Sequence, residues 1–541
     1  MKNICWIFFV IIIILIFLAY FPIFRGFFQH DEWIAFGQYL PAGKNLFSFF
    51  RPTVAHYVPL QQLLFYLYVS VFKLDFFWYA LSSILLHLFV VYLTIVFFSL
   101  LFKKRILALF AGLYFALEAS GHQATSWIAA DINTHGATIF GLLAVIVGYK
   151  YHRIWLSIFL LIISLLFKEI TVAFFVIIPL MVLIFNKERF INNRIKYLQF
   201  PLVGFIYFIF RLVMTFFPRA DVGSQIVVET QSISEIFVNA VTFPVKIFTQ
   251  SLIPTGFLLN IAKILTKMLP VDITGLFGTT NFDNFVEQVS LQTINWTVFI
   301  LGILLMIYVI KKSRDKTAKN IIVFGWIFVI LNSFIYVLSP GRSGSIPVVD
   351  SRNIYLPSLG AALFIVTAIY TLVREKIIVT ILVLIPVLVL NIFWLEKELK
   401  ILGDRGTERK NILYEIKSNY PVLPPKVVFY MVSDSSYYGL PEADRIFPFE
   451  TNFGRTLMVW YLPTENLPKG FFSQIDFLHG LTDEGYRYFE NRGFGYFRNL
   501  DSLLMAINEN KLGKESIIAY QYDSVSKTLT DITSQVREKI E

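Results

Sequence analysis

Residues 4–24 read ICWIFFVIIIILIFLAYFPIF, and this stretch decides the fold class because it contains no charged residue. A bilayer core about 30 Å thick requires roughly 20 apolar residues in one helix, and the stretch meets that length. A secretory signal peptide has a shorter apolar region followed by a small-residue cleavage site, and neither feature is visible. The stretch therefore predicts a first membrane helix that the chain retains.

Ten further apolar runs follow along the chain. They lie at residues 77–102, 106–121, 136–149, 154–167, 170–185, 197–217, 295–310, 320–339, 354–373 and 377–395. The runs 154–167 and 170–185 are short and meet at Lys168 and Glu169, so they form either two helices or one long, broken helix. The pattern predicts a polytopic α-helical membrane protein with about 11 transmembrane helices.

The composition agrees with this fold class, because 56% of the residues are hydrophobic and only 16% are charged. Such a composition excludes a disordered chain and disfavours an ordinary soluble enzyme. The net charge of +10 would suggest nucleic acid as the partner of a soluble protein. In a membrane protein the same excess marks cytoplasmic loops, so no nucleic-acid partner is predicted. Cys5 is the only cysteine, which excludes an internal disulfide and a Cys-based zinc site.

The basic residues between the runs predict the sidedness. When Lys2 is cytoplasmic, every dense basic cluster falls on the cytoplasmic side. These clusters are Lys103 to Arg105, Lys150 with Arg153, Lys187 to Lys196, Lys311 to Lys319, and Arg374 with Lys376. That side holds 17 Lys and Arg and three acids, whereas the rest of the chain holds 30 and 34. We predict a multi-pass protein with a cytoplasmic N-terminus, and the Lys-, Ile- and Phe-rich composition favours a prokaryotic plasma membrane.

The opposite, extracytoplasmic face receives the larger loops of the membrane domain, residues 1–395. Segment 25–76 is amphipathic, aromatic and broken by prolines, which predicts interfacial helices lying on the membrane. Loop 218–294 contains a semi-apolar stretch, Ile233 to Leu269, which predicts a re-entrant or surface helix pair. Residues 396–541 contain no run long enough to span. Strands at 426–432 and 516–522 and a helix at 500–510 predict a small extracytoplasmic α/β domain of unknown role.

The first outer segment contains FQHDEW at residues 28–33, which places Asp31 and Glu32 shortly after the first apolar run. Neighbouring carboxylates raise one another's pKa, and an apolar surround raises it further. Such a carboxylate can take a proton from an acceptor hydroxyl during group transfer. The alternative is a solvated helix cap with Trp33 as an interfacial anchor, and position alone does not separate the two.

The predicted loop 122–135 is compact and polar. It contains His122, Trp127, Asp131, Asn133 and His135. Two histidines and one aspartate could bind a metal, but spacings of nine and four residues are a weak signal. Substrate contact or interface polarity is the favoured interpretation, and neither a metal nor a cofactor is predicted. His56 and His87 are isolated among apolar residues, where a satisfied buried histidine is the commoner role.

Two cations stand at predicted membrane boundaries. Lys168 beside Glu169 is either half of an ion pair at a helix break or a lysine facing a phosphate. Arg352 lies where a lipid phosphate would be, and a guanidinium matches phosphate geometry with paired hydrogen bonds. The alternative for Arg352 is an arginine that snorkels to lipid headgroups. The sequence contains no GxxxxGK[ST] or GxGxxG motif, so the donor of any transferase should be carried in the lipid.

Four short motifs occur in order along residues 1–395. They are Asp31-Glu32; HYVPL at 56–60 leading to LLH at 85–87; Leu117 to Trp127 followed by LLFKE at 165–169 and Pro179; and SRNIYLPSLG at 351–360. Together they resemble the polytopic GT-C glycosyltransferases that use lipid-phosphate sugars, and within them the protein O-mannosyltransferase type. The resemblance implies a metal-independent, inverting transfer of a mannose-like sugar from a polyprenyl-phosphate donor to a hydroxyl of a protein, lipid or glycan acceptor.

The resemblance also implies roles for individual residues. Asp31 would be the catalytic base and Glu32 a supporting residue on the acceptor side. Arg352 would bind the donor phosphate, with Lys168 as a second cation. The predicted substrate-binding residues are His30, Trp33, His56, His122, Trp127 and Asp131. Relatives usually carry an arginine near the position of Asp131 and often have tetratricopeptide repeats after the membrane part, and this chain departs from both patterns.

Two other classes of function remain open. One is a transferase of the same fold that moves an aminosugar onto a lipid or glycan. The other is a non-catalytic transporter or flippase of lipid-linked sugars. A transporter should show related halves or interrupted helices that converge at mid-membrane. The sequence shows no internal symmetry and its polar residues gather at one face, which favours an interfacial enzyme.

Overall fold

The structure is a computed structural model. It describes residues 2–29, 31–41, 49–50, 57–216, 232–268, 279–338, 346–434, 449, 453–464, 467–473, 477–478, 480 and 483–540. Most of these residues are helical, and the strands lie in the C-terminal part of the chain.

The helices before residue 217 account for most of the predicted runs in that part of the chain. They are α1 (Lys2–Tyr20), α2 (Asp31–Tyr39), α3 (Pro59–Phe72), α4 (Phe76–Leu101), α5 (Arg105–Leu117), α6 (Gln123–Ser126), α7 (Ile128–Lys150), α8 (Ile154–Phe167), α9 (Phe174–Phe185), α10 (Lys187–Asn192) and α11 (Arg194–Phe216). Lys168 is extended, with φ −166° and ψ 143°, and a short 3-10 turn at Glu169–Thr171 follows it. The extended residue interrupts the helical hydrogen-bond ladder, so α8 and α9 are two helices and not one.

The later helices continue the same pattern into the C-terminal region. They are α12 (Ile233–Leu252), α13 (Thr255–Met268), α14 (Thr279–Lys312), α15 (Lys316–Ser333), α16 (Ser351–Ile354), α17 (Ser358–Leu372), α18 (Ile377–Asn419), α19 (Phe453–Tyr461), α20 (Leu500–Asn510) and α21 (Thr533–Glu538). The start of α12 is a capping box, in which the Ser232 hydroxyl accepts from Glu235 N and the Glu235 carboxylate accepts from Ser232 N.

Some of these helices are long and apolar enough to cross a membrane. Among the described residues, six segments qualify, namely Phe8–Arg25, Phe76–Leu101, Ile128–Lys150, Glu287–Lys312, Lys316–Val337 and Ile377–Asn419. Helices α12 and α13 qualify as a pair but are bent by 104° at their break, as in a broken span or a re-entrant loop. Five shorter apolar helices accompany them. The described part of the chain is therefore mostly helical, with six candidate membrane spans or seven if the bent pair is one span, and the count of 11 crossings stays a prediction.

Two glycines allow α15 and α17 to approach closely. A Cβ atom built on Gly360 would lie 2.6 Å from the carbonyl oxygen of Gly325, and one built on Gly325 would lie 2.8 Å from that of Gly360. Small residues at a helix crossing permit backbone contact, which is a common way for apolar helices to associate in lipid. This contact joins the helix before the Arg352 loop to the helix that follows it.

The chain divides into two compact units. The first consists of Met1–Phe21, Leu46–Leu64 and Leu81–Glu398, and the second of Pro22–Asn45, Phe65–Ala80 and Leu399–Glu541. The predicted boundary after residue 395 lies within the continuous helix α18, three residues before the observed division. The second unit also takes in parts of the predicted first outer segment.

The second unit contains a mixed sheet of five strands in the order β2-β3-β1-β4-β5. The strands are β1 (Lys426–Ser433), β2 (Gly485–Phe489), β3 (Arg492–Phe497), β4 (Ile517–Asp523) and β5 (Thr528–Asp531). Strand β1 pairs in parallel with both β3 and β4, and the two edge strands pair antiparallel. Strand β1 is buried on both faces of the sheet, which explains its nearly continuous apolar sequence. The predicted strands at 426–432 and 516–522 and the helix at 500–510 are confirmed.

Candidate functional site

In the first unit, polar side chains gather where α5 ends and α7 begins. The turn after α5 is organised by Glu118, whose carboxylate accepts hydrogen bonds from the backbone N–H groups of Ser120 (2.7 Å) and Gly121 (2.9 Å). Burial raises the pKa of Glu118 to about 8, although these two hydrogen bonds lower it. A Cβ atom on Gly121 would lie 3.1 Å from the Cα atom of Tyr355, so glycine lets the loop before α17 pack directly on this turn.

Arg352 lies on that loop, within the short helix α16. Its guanidinium carbon is 4.5 Å from the centroid of the Trp127 ring, which is a cation–π distance. Its Nη2 atom is 3.8 Å from the Asp350 carboxylate, and the Arg352 side chain is 29% exposed. The Ser351 hydroxyl accepts a hydrogen bond from Gln123 N at 3.0 Å. Two of the predicted site residues, Trp127 and Arg352, are therefore in contact.

Asp131 and His135 form a buried pair one turn apart on α7. The Asp131 carboxylate accepts a hydrogen bond from Nδ1 of His135, and both side chains are at most 1% exposed. The other ring nitrogen, Nε2, lies 3.3 Å from the Thr125 hydroxyl. A buried carboxylate of this kind is costly, and its retention points to a specific role.

His87 and Tyr355 form a second polar pair against the first. Nε2 of His87 is 3.0 Å from the carbonyl oxygen of Ala116, so this nitrogen carries the proton and donates. In the neutral ring, Nδ1 then accepts from the Tyr355 hydroxyl at 2.8 Å. The Tyr355 and His135 rings are 5.1 Å apart, edge to face. The prediction that His87 is a satisfied buried histidine agrees with these contacts.

Two further predicted residues lie at the edges of this cluster. His122 is buried, its Nδ1 lies 2.9 Å from the Ser126 hydroxyl, and burial lowers its pKa to about 4. Lys168 donates from Nζ to the Thr134 hydroxyl at 3.0 Å, and Thr134 lies on α7 three residues after Asp131. His122 is therefore neutral near pH 7, and Lys168 approaches the polar end of α7.

Glu169 forms an ion pair with a residue that sequence reasoning did not single out. Its carboxylate lies 3.1 Å from Nη2 of Arg211 on α11, and both side chains are about one-fifth exposed. Arg211 sits in an apolar run, where a charged residue is expensive and usually functional. The position of a charged residue inside an apolar run was therefore the sequence feature that could have indicated Arg211.

The segment that leads into Arg352 is held by buried side chains from α12 and α14. Lys246 donates to the carbonyl oxygen of Ile346 at 2.8 Å. Gln250 donates to Pro347 O at 2.8 Å and accepts from Val349 N at 3.0 Å, and Asn295 donates to Pro347 O at 3.1 Å. We call Lys246, Gln250 and Asn295 the loop clamp. In the sequence, the loop clamp is indicated only by polar residues that lie within semi-apolar stretches.

The acidic pair lies in the second unit. Asp31 is the first residue of α2 and is partly exposed. Glu32 is 1% exposed, and its carboxylate accepts a hydrogen bond from Gln29 N at 3.0 Å. Trp33 is also 1% exposed, and its ring lies 5.8 Å from that of Phe28. Trp33 is therefore packed as a core residue, and the substrate roles of Glu32 and Trp33 stay predictions.

Two of the predicted substrate-binding residues, His30 and His56, lie outside the described residues. Within the described residues, no group of three or more His, Cys, Asp and Glu side chains is arranged to hold a metal ion. Comparison with family models, curated proteins and solved structures finds no match for this chain.

Proposed function

We propose that the chain is an inverting glycosyltransferase that moves a mannose-like sugar from a polyprenyl-phosphate donor to an acceptor hydroxyl. The proposal includes about 11 membrane crossings, a cytoplasmic N-terminus and a site at the extracytoplasmic face. The observation that carries it is the stack of Arg352 on Trp127, at the edge of a buried polar cluster in an otherwise apolar helical unit.

The stack suits a phosphate-binding role. A guanidinium is planar and its N–H donors can donate in pairs to phosphate oxygens, and the contact with the Trp127 ring limits where the group can lie. The loop clamp holds the approach to Arg352 from two helices, which limits the movement of the cation. A polyprenyl phosphate leaves as a stable anion, so a fixed cation supplies more of the rate than a general acid would.

The transfer itself needs a base on the acceptor side. The acceptor oxygen attacks the anomeric carbon, the bond from that carbon to the phosphate oxygen breaks, and the hydroxyl proton passes to the base. Asp31 is the proposed base, as the resemblance implies. The Asp131–His135 pair is the second candidate, because the pair is buried and His135 holds the carboxylate in place.

The donor site is tested by Arg352→Ala in protein reconstituted with polyprenyl-phosphate mannose and a hydroxyl acceptor. Loss of charge-assisted hydrogen bonds should lower kcat/KM for the donor about 10- to 100-fold, with the acceptor KM nearly unchanged. Arg405→Ala removes an exposed arginine from α18 and serves as the control. Equal losses for donor and acceptor, or equal effects of both variants, would contradict a phosphate contact at Arg352.

The two candidate bases are separated by Asp31→Asn and Asp131→Asn. The variant of the true base should lose transfer by at least about 100-fold and lose the acidic limb of the rate profile, while donor binding remains. The other variant should keep that limb. Transfer by both variants at the wild-type rate would show that neither Asp31 nor Asp131 is the base.

A transporter of lipid-linked sugars is the second candidate function, because α12 and α13 are interrupted by a 104° bend. Interrupted helices near a binding site are typical of secondary transporters. Proteoliposomes with a fluorescent polyprenyl-phosphate sugar in one leaflet distinguish the two functions. A transporter moves the lipid between leaflets without consuming it, whereas a transferase consumes it only when an acceptor hydroxyl is present.

A further inference from the structure

A cavity of about 440 Å³ lies at the end of α7 remote from Trp127, between the start of α8 and the start of α11. We call it the basic cavity. Helix α7 has 23 residues, so its two ends are roughly 34 Å apart at 1.5 Å per residue. The basic cavity is therefore separated from the Arg352 cluster by about the thickness of a bilayer core.

The lining of the basic cavity combines positive charge with an amide. His152, Arg153, Lys196 and Gln199 contribute to it, and no acidic residue belongs to the lining among the described residues. Arg189 adds charge at the same end of α7, where it donates to the carbonyl oxygen of Tyr149 at 3.0 Å. Burial and the nearby Arg189 charge both lower the pKa of His152. The chemistry of the lining is complementary to a phosphate group.

The geometry of the turn presents these groups. His152 has φ +59°, in the left-handed region, and the chain reverses direction within the three residues that connect α7 to α8. The reversal places Arg153 directly before α8. Lys196 lies in the first turn of α11 and is exposed, so both cations can reach the mouth of the basic cavity.

Apolar surface continues from the basic cavity along both helices. Trp155 is 68% exposed and Phe159 is 57% exposed on α8, and Leu198 and Leu202 on α11 are 56% and 57% exposed. A tryptophan at this level is typical of the membrane–water interface. A ligand with one phosphate and long hydrocarbon chains matches both parts of the surface, whereas a free phosphate matches only the first.

We propose that the basic cavity binds the headgroup of an anionic glycerophospholipid, with its phosphate between Arg153 and Lys196 and its acyl chains along α8 and α11. Basic pockets between transmembrane helices commonly bind such headgroups. This site is independent of the proposed sugar donor, because the two lie at opposite ends of α7.

The test uses the full chain in nanodiscs that contain phosphatidylglycerol or phosphatidylcholine with brominated acyl chains. Bromine quenches a tryptophan in contact with it, and subtracting the signal of Trp155→Phe isolates Trp155 at the mouth of the basic cavity. We expect Trp155 to be half-quenched at an approximately 10-fold lower mole fraction of phosphatidylglycerol than of phosphatidylcholine, since each basic contact favours anionic lipid.

The double variant Arg153→Gln with Lys196→Gln should abolish this preference while the protein elutes as a folded species. The control, Lys311→Gln with Lys312→Gln, removes the same amount of charge from exposed positions at the end of α14. This control should keep the preference for phosphatidylglycerol. The proposal is overturned by equal quenching from both lipids, by a preference that survives in the cavity variant, or by equal loss in the control. Release of the lipid by micromolar inorganic phosphate would also overturn it, because the site would then bind soluble phosphate.

Discussion

At the scale of single residues, Trp127 contacts Arg352, whose guanidinium carbon lies 4.5 Å from the centroid of the indole ring. Trp127→Leu should lower kcat/KM for a polyprenyl-phosphate donor about 3- to 30-fold, the usual range for a lost cation–π contact. Trp127→Phe should retain part of the kcat/KM that Trp127→Leu loses, because the smaller phenyl ring still offers a face to the cation. Trp78→Leu, at a 46% exposed site, is the matched control and should match wild type. A Phe variant as impaired as the Leu variant would contradict the stacking role.

Glu118 gives the residue-scale prediction for pH. Because burial raises its pKa from 4.5 to about 8, the unfolded chain loses this proton at a lower pH than the folded chain does. The contribution of Glu118 to folding stability is therefore fully present below its unfolded pKa and is lost as the pH rises through its folded pKa. Thermal unfolding should show wild-type stability falling between about pH 4.5 and pH 8, and Glu118→Gln should flatten that fall.

The absolute stability of Glu118→Gln should also decrease. Its amide can accept from Ser120 N, but its NH₂ group would face the N–H of Gly121, which leaves a buried donor without an acceptor. Glu188→Gln, at an exposed site, is the control and should keep the wild-type pH dependence. A pH profile that is the same for Glu118→Gln and wild type would show that Glu118 does not titrate in this window.

At the scale of elements, the loop clamp connects α12 and α14 to the position of Arg352. Gln250 is its centre, since its amide both donates to Pro347 O and accepts from Val349 N. Gln250→Leu removes both hydrogen bonds at nearly constant volume, so the loop before Arg352 should lose its fixed position. We expect about a 10-fold loss of donor kcat/KM, with the acceptor KM unchanged, because misplaced binding groups cost rate without touching the chemistry.

Two comparisons make this prediction specific. Gln288→Leu changes an exposed glutamine on α14 and should have no effect on kinetics. Gln250→Glu keeps the acceptor for Val349 N and should restore more donor use than Gln250→Leu does. If Gln250→Leu lowers thermal stability but leaves the donor KM and kcat unchanged, the clamp only stabilises the fold and does not position Arg352.

At the scale of the whole molecule, the distribution of charge predicts which ends of the helices face the cytoplasm. Cys5 is the only cysteine, so in a Cys5→Ser background a single introduced cysteine reports its own side. Val525→Cys, at an 89% exposed position of the second unit, should react with a membrane-impermeant maleimide in intact cells. Lys311→Cys should react only after permeabilisation, because basic loops stay cytoplasmic.

Labelling of both positions from the same side would overturn the predicted sidedness. The control is Cys5→Ser without an introduced cysteine, which should not be labelled under either condition.

The sequence by itself determined the local elements of the molecule. Apolar length and the period of side chains are local properties, so each predicted run overlaps a helix, and the strands at 426–432 and 516–522 lie where expected. Strands β2, β3 and β5 were missed because they are short, and their pairing depends on the central strands beside them. The continuation of α18 to Asn419 was missed because its second half is polar and the prediction followed hydropathy.

The tertiary structure alone decided which polar residues meet. His87 and Tyr355 are 268 residues apart, and Gln250 and Val349 are 99 apart, so neither contact leaves a mark on the local pattern. Such contacts depend on how helices pack, and packing depends on shape, as where Gly325 and Gly360 let two backbones touch. The sequence could single out Arg352 and Trp127 separately, because a guanidinium suits phosphate and an indole suits contact with a substrate. Only the packed helices bring the guanidinium onto the indole, since contact between distant residues is a property of the fold.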